Sequence, residues 1–281
     1  MTSALTPDGA AGLATAAGER WRAALARWAI PSDILHRAPE SPFEIPTELF
    51  LPQHQACSPA ARRQALAGVG TGGSLLDIGC GCGAASLPLT SAASITGLDT
   101  SRAMLEEFHR QATRFGVAHR TIHGRWPEVA PAAGRHTVVT AHHVVYNIAA
   151  IEHFLHDLTA HAQVRVVMEV TRTHPQSPLN ELWRHFHGIE RPTEPVADDI
   201  VDVLRQLGID PTVEVDRRGA PLLPARRELL VAFARRRLCL TPDHDEEIDR
   251  LLPLDHEAPH RDVVCISWAG QPDRAADPPM Q

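Results

Sequence analysis

The sequence predicts an α/β fold, with a mostly parallel seven-stranded sheet and helices on both faces. From Leu75 onward, short apolar segments of β character alternate with helix-like segments, which is the pattern of such a sheet. A glycine-rich turn follows the first apolar segment, and an acidic residue, Asp99, ends the second. In a sheet of this kind, both features lie at the carboxyl edge, where ligands bind.

Seven segments have the length and composition of strands. They are Leu75–Ile78, Ile95–Leu98, Arg120–His123, Thr137–Ala141, Val164–Val170, Thr212–Val215 and Val263–Trp268. The clearest helix follows the second strand, because apolar residues recur there at helical spacing: Met104, Leu105, Phe108, Ala112 and Phe115. Another helix is predicted from about Ala197, and Gly208 is placed to end it.

The 281 residues divide into four predicted segments. Residues 1–18 are expected to be a flexible tail, 19–70 a helical and proline-rich cap, 71–270 the main domain and 271–281 a second flexible tail. The sequence contains no apolar run of about 20 residues and no secretion signal. We therefore expect a cytoplasmic protein without a membrane partner.

Composition narrows the partners and the compartment. The net charge of −7 disfavours binding to nucleic acid. The five cysteines are an odd number without the spacing of a disulfide framework, as expected in a reducing compartment. All 27 basic residues are arginine, a bias typical of a GC-rich bacterial genome of the actinobacterial type.

The glycine-rich turn has acidic residues before and after it. Its sequence is Asp77-Ile78-Gly79-Cys80-Gly81-Cys82-Gly83, and Asp99 lies 22 positions beyond Asp77. Glycines permit positive φ angles and a close approach of a ligand, and the amides that open a following helix favour an anionic group. An acid at this distance is placed to bind ribose hydroxyls.

These two segments resemble motifs of a known family. The pattern Asp-x-Gly-x-Gly-x-Gly resembles motif I of class I, Rossmann-like methyltransferases that use S-adenosylmethionine (SAM), and Ile95–Ser101 resembles their second motif. The resemblance implies that SAM is the cofactor. It implies that Asp77 binds the amino group of SAM and that Asp99 binds the ribose. By the same resemblance, the methionine part and the adenine would be lined by Gly79, Cys80, Gly81, Gly83 and Thr100.

Two further features lie in or near the predicted cofactor region. Trp126 follows the third strand, and either stacks on the adenine or packs beneath the sheet. Cys80 and Cys82 form a Cys-x-Cys pair without a second cysteine pair nearby, so no metal site is predicted.

The candidate catalytic residues follow the fourth strand: His142, His143 and Tyr146. In the family that the chain resembles, this position lies beside the transferring methyl group, so His142 also counts among the cofactor contacts. A histidine suits proton removal because its ordinary pKa is near ~6.5. We expect one of the two histidines to face the pocket, with His142 slightly favoured and Tyr146 or Asn147 orienting the substrate. The alternatives are pocket lining without proton transfer and a purely structural role.

Two later segments have a helical pattern or a run of charge. The stretch that contains Trp183 and His187 predicts a helix that either covers a substrate or packs on the sheet. The run Arg235–Arg237 is interpreted as a solvated helix face, balanced by the acidic residues that follow it.

The resemblance predicts an enzyme that methylates an oxygen or nitrogen atom of a small molecule, in secondary metabolism. Motifs typical of nucleobase methylation, Asn-Pro-Pro-Tyr and Pro-Cys, are absent. The alternatives are methylation of tRNA, rRNA or protein, and a SAM-binding regulatory protein without turnover. The expected partner is a small-molecule substrate, and a homodimer is left open.

Overall fold

The computed structural model describes residues 13–44, 57–89, 91–218, 224–252 and 261–272. They form a seven-stranded sheet in the order β3-β2-β1-β4-β5-β7-β6. The strands are β1 (Ser74–Ile78), β2 (Ser94–Asp99), β3 (His119–His123), β4 (His136–His142), β5 (Ala162–Thr171), β6 (Thr212–Arg218) and β7 (Arg261–Ala269). Strands β1 to β5 are parallel, whereas β7 runs antiparallel to both β5 and β6. The predicted fold class is confirmed, and each predicted strand is found.

Ten α-helices lie in the described ranges. They are α1 (Ala16–Ala26), α2 (Ser32–Leu35), α3 (Pro59–Val69), α4 (Arg102–Phe115), α5 (Ala130–Ala133), α6 (Ile151–His161), α7 (Asn180–His187), α8 (Ala197–Gln206), α9 (Pro224–Arg237) and α10 (Asp245–Leu251). The predicted apolar face of α4 is buried from Met104 to Ala112, while Phe115, in the last turn, is 42% exposed. The Ser101 side chain caps the start of α4, and Gly116 ends it in the left-handed conformation.

One expected helix is missing from the described residues. The chain after the glycine-rich turn, from Gly81 to Pro88, forms successive turns, with a single i to i+4 hydrogen bond from the Leu87 amide to the Gly83 carbonyl. Glycines and Pro88 explain this difference, because glycine has a poor helix propensity and proline restricts the residue before it and lacks an amide donor.

The two faces of the sheet are covered by different helices. One face packs against α1, α6 and α8, and its core includes Leu76, Val139 and Met168. The opposite face packs against α3 and α4, and its core includes Leu75 and Val167. Asp77, Thr140 and Glu169 lie on this second face by strand alternation.

A third core joins the helices of the cap. Ile34 of α2 packs with buried residues of α7, α9 and α10, including Trp183, Ala234 and Ile248. The cap is therefore built from the N-terminal segment together with helices from the second half of the chain. Residues 45–56 of the predicted cap segment lie outside the described residues.

The N-terminal boundary differs from the predicted one. Helix α1 begins at Ala16, Leu13 is buried, and the indole of Trp21 donates a hydrogen bond to the Ile148 carbonyl at 2.8 Å. The end of the predicted tail thus packs against the main domain, because Leu13 and Ala17 are buried and α1 contacts α6 and α8. The remainder of the predicted N-terminal tail and residues 273–281 of the predicted C-terminal tail lie outside the described residues. Among the helices that are described, none is long and apolar enough to cross a membrane.

Candidate active site

Asp77 lies buried one residue before the end of β1. Thr140, its register partner on β4, donates a hydrogen bond from Oγ1 to Asp77 Oδ1 at 3.0 Å. Asp77 Oδ2 makes no hydrogen bond of normal length within the described residues. Burial raises the pKa of Asp77 to about 6, against the opposing effect of the Ser86 and Thr140 hydroxyls. A buried carboxylate oxygen of this kind fits the protonated amino group of a ligand.

The backbone of the glycine-rich turn is held by the protein itself. The amides of Gly79 and Cys80 both donate to the Leu98 carbonyl, at 2.8 and 3.0 Å. Gly79 has φ +67°, and a Cβ atom there would lie 2.1 Å from Cγ1 of Val144. The Gly83 amide donates to the Cys80 carbonyl. These amides therefore shape the turn and are not left open for an anionic group.

Asp99 joins the end of β2 to the turn. Its Oδ2 accepts the Gly81 amide at 2.9 Å, and its Oδ1 accepts the Ser101 amide at 2.8 Å. Each carboxylate oxygen can accept a further hydrogen bond, for example from a ribose hydroxyl. A Cβ atom at Gly81 would meet no other atom within 4 Å, so the chain is open to a ligand at this position. Together with the Asp77 oxygen, these features fit SAM.

The two predicted adenine contacts have different surroundings. Thr100 is exposed at the carboxyl edge, and its carbonyl contacts His123 Nε2 at 3.0 Å. Trp126 is 5% exposed and belongs to the core on the α6 face, with its ring edge-on to His161 at 4.8 Å. This interior packing leaves the Trp126 ring without an open face for adenine, so it corresponds to the second alternative, packing beneath the sheet.

The histidines that end β4 have different environments. His142 is half-buried as the last residue of the strand, opposite Glu169 in the β4–β5 register. His143 has φ +58° and 41% of its side chain exposed, and its Nε2 lies 3.3 Å from Glu169 Oε1. The left-handed conformation is uncommon for histidine, and strained residues of this kind cluster at functional sites. The contact with Glu169 and the exposed side chain favour His143 as the histidine that faces the pocket. The sequence had slightly favoured His142.

Glu169 is fully buried yet remains ionised. Burial would raise the pKa of this carboxyl, but the hydrogen bond from His143, the charges of His142 and His143 and the Ser58 amide together lower it to about 2. The Ser58 amide donates to Glu169 Oε2 at 2.6 Å, at the N-terminus of α3. The positive end of the helix dipole also stabilises a carboxylate there. No sequence pattern predicted the contacts of Glu169 with Ser58 and His143.

Tyr146 has a structural position. It is 4% exposed, and its hydroxyl donates to the Thr171 carbonyl at 2.8 Å. Burial raises the pKa of Tyr146 well above its ordinary value. The ring lies between Trp21 and His174, at centroid distances of 5.6 and 5.1 Å. Its predicted part in orienting the substrate is therefore limited to shaping the wall of the site.

Sequence reasoning missed several residues near the site. Thr140 lies two positions before His142 and so shares its face of β4, a signal that strand alternation offers. Arg191 and Arg237 come near His174 only through tertiary folding, and no local pattern indicated this. In the described part of the chain, no group of three or more His, Cys, Asp or Glu residues is arranged to hold a metal ion.

Part of the chain is similar to known methyltransferases. Residues 75–165 match a family model described as a methyltransferase domain. Among solved structures, a SAM-dependent methyltransferase from Geobacter sulfurreducens in complex with S-adenosyl-L-homocysteine is 16% identical, with a TM-score of 0.52 over 81% of this chain and 99% of that one. A second enzyme, from Thiobacillus denitrificans and also in complex with S-adenosyl-L-homocysteine, is 16% identical, with a TM-score of 0.50 over 81% and 98%.

A third structure extends the range of similar folds. It is a putative sarcosine dimethylglycine methyltransferase from Galdieria sulphuraria, 12% identical, with a TM-score of 0.50 over 75% of this chain and 83% of that one. No curated protein matches the sequence. At these identities the solved structures establish the fold, and the family model identifies the domain. The chain therefore has the fold of SAM-dependent methyltransferases of known structure, and residues 75–165 match a methyltransferase domain.

Proposed function

We propose that this protein transfers a methyl group from SAM to an oxygen or nitrogen atom of a small molecule. The observation that carries this proposal is the His143–Glu169 contact, which lies at the end of β4, the strand next to β1 and its glycine-rich turn. When bound, SAM supplies an activated methyl group, so the protein mainly has to align the acceptor and accept its proton.

The donor side of the site is assigned to residues of β1, β2 and the turn between them. Asp77 would bind the amino group through its buried Oδ2, and Asp99 would bind the ribose hydroxyls. The backbone from Gly79 to Gly83 would line the methionine part, with the open position at Gly81 nearest to it. Because the turn amides at Gly79, Cys80 and Gly81 are already bonded, Asp77 and Asp99 supply the polar recognition.

We assign proton acceptance to His143. Glu169 stays ionised and lies next to Nε2, which favours the tautomer with its proton on Nε2 and leaves the Nδ1 lone pair to accept a proton. The carboxylate also stabilises the imidazolium that forms. Glu169 is thus a positioning residue, held in turn by the Ser58 amide.

The partner class is supported by charge and architecture. A net charge of −7 disfavours nucleic acid. The helical cap of α2, α7, α9 and α10 adds a second wall whose own core is apolar. We further propose that the enzyme acts in the cytoplasm, in the secondary metabolism of a bacterium. The absence of lysine supports a GC-rich genome for that bacterium.

The first experiment identifies the class of acceptor. The protein is incubated with SAM that carries a tritiated methyl group, and with phenols, amines, carboxylic acids, total tRNA, rRNA and a protein extract in separate reactions. We expect label in a small molecule. Label confined to RNA or protein would contradict the proposal, and so would binding of S-adenosylhomocysteine without turnover of any compound.

The second experiment tests the assignment of the base with the acceptor so found. His143→Asn retains a residue that tolerates positive φ, so the backbone is preserved while the imidazole is removed. We expect kcat to fall about 100-fold or more, with unchanged affinity for S-adenosylhomocysteine. His156→Asn is the matched control, because His156 Nδ1 lies 3.3 Å from Asp157 Oδ1 on α6. If the two variants had equal kcat values, His143 would not be the proton acceptor.

A further inference from the structure

A cluster of aromatic and basic side chains lies between the cap and the carboxyl edge of the sheet. We call it the cap–edge cluster; it consists of Trp28, Tyr146, His174, Trp183, Arg191 and Arg237. Arg237 adjoins the others at the end of α9, where the next residue's carbonyl contacts His187 Nε2 at 2.8 Å and the His187 ring lies 4.8 Å from that of Trp183. The His174 ring is stacked on Trp28 at 3.7 Å and lies edge-on to Tyr146 at 5.1 Å. The Arg191 guanidinium lies over the ring of Trp183 at 4.8 Å and that of Trp28 at 5.6 Å.

This cluster borders the acceptor side of the proposed site. Tyr146 follows His143 by three residues, and His174 follows the end of β5 by three residues. The Tyr146 hydroxyl, bonded to the Thr171 carbonyl, ties the ends of the two neighbouring strands together. A substrate that reaches His143 therefore approaches the wall that this cluster forms.

Arg237 differs from the other arginines of its helix segment. Arg235 pairs with Glu40 and Asp245, and Arg236 pairs with Glu40. The Arg237 guanidinium lies over the Phe233 ring at 5.3 Å, and makes no ion pair or hydrogen bond with any described residue. The run Arg235–Arg237 is thus mostly half-buried and partly paired, unlike the solvated face that the sequence predicted.

Two positively charged side chains, Arg191 and Arg237, act on His174. Burial and the charges of Arg191 and Arg237 together lower the pKa of His174 to about 3, so the imidazole is neutral at neutral pH. Arg191 donates to the Trp28 and Ala29 carbonyls, just beyond the C-terminus of α1, which compensates its charge in part. Burial also lowers the pKa of Arg237, for which no described carboxylate compensates.

The donor pattern of His174 complements that of Arg237. His174 Nδ1 accepts the Gln176 amide at 3.2 Å, so the neutral ring carries its proton on Nε2 and can donate from there. A guanidinium and an imidazole N–H are both donors, and the planar fork of a guanidinium matches the two oxygens of a carboxylate. A half-buried cation that has no acidic partner among the described residues is best compensated by an anionic ligand.

We propose that Arg237, assisted by the Nε2–H of His174, binds a carboxylate group of the methyl acceptor. The substrate class is then a small carboxylic acid that carries a hydroxyl or amino group to be methylated. This inference rests on the proposed function and specifies its acceptor. Arg191, held by backbone carbonyls and two indole rings, positions Trp28 and Trp183 and adds positive charge nearby.

The test uses the intact protein saturated with S-adenosylhomocysteine, so that binding is measured without turnover. A panel of aromatic and aliphatic hydroxy and amino acids is compared by calorimetry with the corresponding carboxamides, and phenyl phosphate is included. We expect at least one acid to bind ten or more times more tightly than its amide. The inference is overturned if no acid is preferred over its amide, or if phenyl phosphate binds more tightly than every acid.

Variants locate the binding group. Arg237→Met removes the charge and retains much of the apolar stem, and it should weaken binding of the preferred acid at least tenfold while leaving its amide unaffected. Arg237→Lys retains charge without the fork and should have an intermediate effect. Arg236→Met, which breaks the pair with Glu40, should bind the acid normally. Normal acid binding by Arg237→Met would overturn the assignment, and the acid–amide comparison on the unmodified protein holds even if that variant is unstable.

Failure of this inference is distinguishable from failure of the proposed function. Methyl transfer to neutral acceptors, with the same rate in Arg237→Met, would retain the methyltransferase function and reject carboxylate recognition. Arg237-dependent binding of acids without methyl transfer to any of them would reject the acceptor assignment and leave a carboxylate-binding site.

Discussion

Asp77 and Glu169 lie on the same face of the sheet, on either side of β4, and their pKa values are shifted in opposite directions. Asp77, whose only hydrogen bond of normal length among the described residues comes from Thr140, has its pKa raised to about 6 by burial. Glu169, although also buried, has its pKa lowered to about 2 because His143, His142 and the Ser58 amide outweigh its burial. Asp77 can therefore bind a cationic group of a ligand, whereas Glu169 is already stabilised by partners within the protein.

This difference predicts how binding of the cofactor depends on pH. With a pKa of about 6, Asp77 is mostly a carboxylate at pH 7 and mostly protonated at pH 5. If the carboxylate binds the amino group of the ligand, affinity for S-adenosylhomocysteine should fall about tenfold between these two pH values. Calorimetry at several pH values checks this. Asp77→Asn should bind weakly with a flat profile, and a variant profile as steep as that of the unmodified protein would contradict the role of Asp77.

Glu169 predicts an acid-sensitive contribution to stability. Its folded pKa is below the ordinary value of 4.5, so the stabilisation is complete above pH 4.5 and is lost as the pH falls toward 2. The free energy of unfolding should decrease by about 3 kcal/mol over that interval on account of this group. Urea unfolding at pH 3 to 6 measures the slope. Glu169→Gln should have a shallower dependence, and identical slopes would show that Glu169 does not contribute.

Gly81 should matter more for the ligand than for the fold. Its φ is +50° and a Cβ atom there would meet no neighbour, so Gly81→Ala costs only the left-handed conformation, about 1–2 kcal/mol. The added methyl group would point into the space assigned to SAM, and affinity should fall markedly. Gly116→Ala is a matched control, because Gly116 has φ +66° and equally open surroundings at the end of α4. If the two variants bound the ligand equally well, the ligand would not lie next to Gly81.

Removal of the Tyr146 hydroxyl distinguishes a structural role of this residue from a catalytic one. Tyr146→Phe loses the hydrogen bond to the Thr171 carbonyl and should reduce the free energy of unfolding by about 1 kcal/mol, or up to about 3 if the carbonyl stays unsatisfied. We expect kcat to change little, because the hydroxyl is committed to the backbone. Thermal unfolding and steady-state kinetics measure the two effects. A large fall in kcat with unchanged stability would restore Tyr146 to the catalytic residues.

The sheet was predictable because each strand is a short apolar segment that can be recognised from its own residues. The turns after Gly81 were not predicted as such, since glycine-rich segments of similar pattern often open a helix and only packing decides. Asp77 and Asp99 come together because parallel strands align their ends, a rule that sequence analysis can apply. The contacts of Glu169 with Ser58 and of His174 with Trp28 join segments more than 100 residues apart, and no local pattern encodes them.

The cap–edge contacts also have a consequence for synthesis of the chain. The Trp28 indole donates to the Glu194 carbonyl, 166 residues later, and Glu40 pairs with Arg235, 195 residues later. Chains grow from the N-terminus, and contacts over such separations form late because long loops must close first. The apolar surface of Trp28 and Ile34 thus stays uncovered on the ribosome until α7 and α9 have emerged. Expression at lower temperature, or with abundant chaperones, should therefore increase the yield of folded protein.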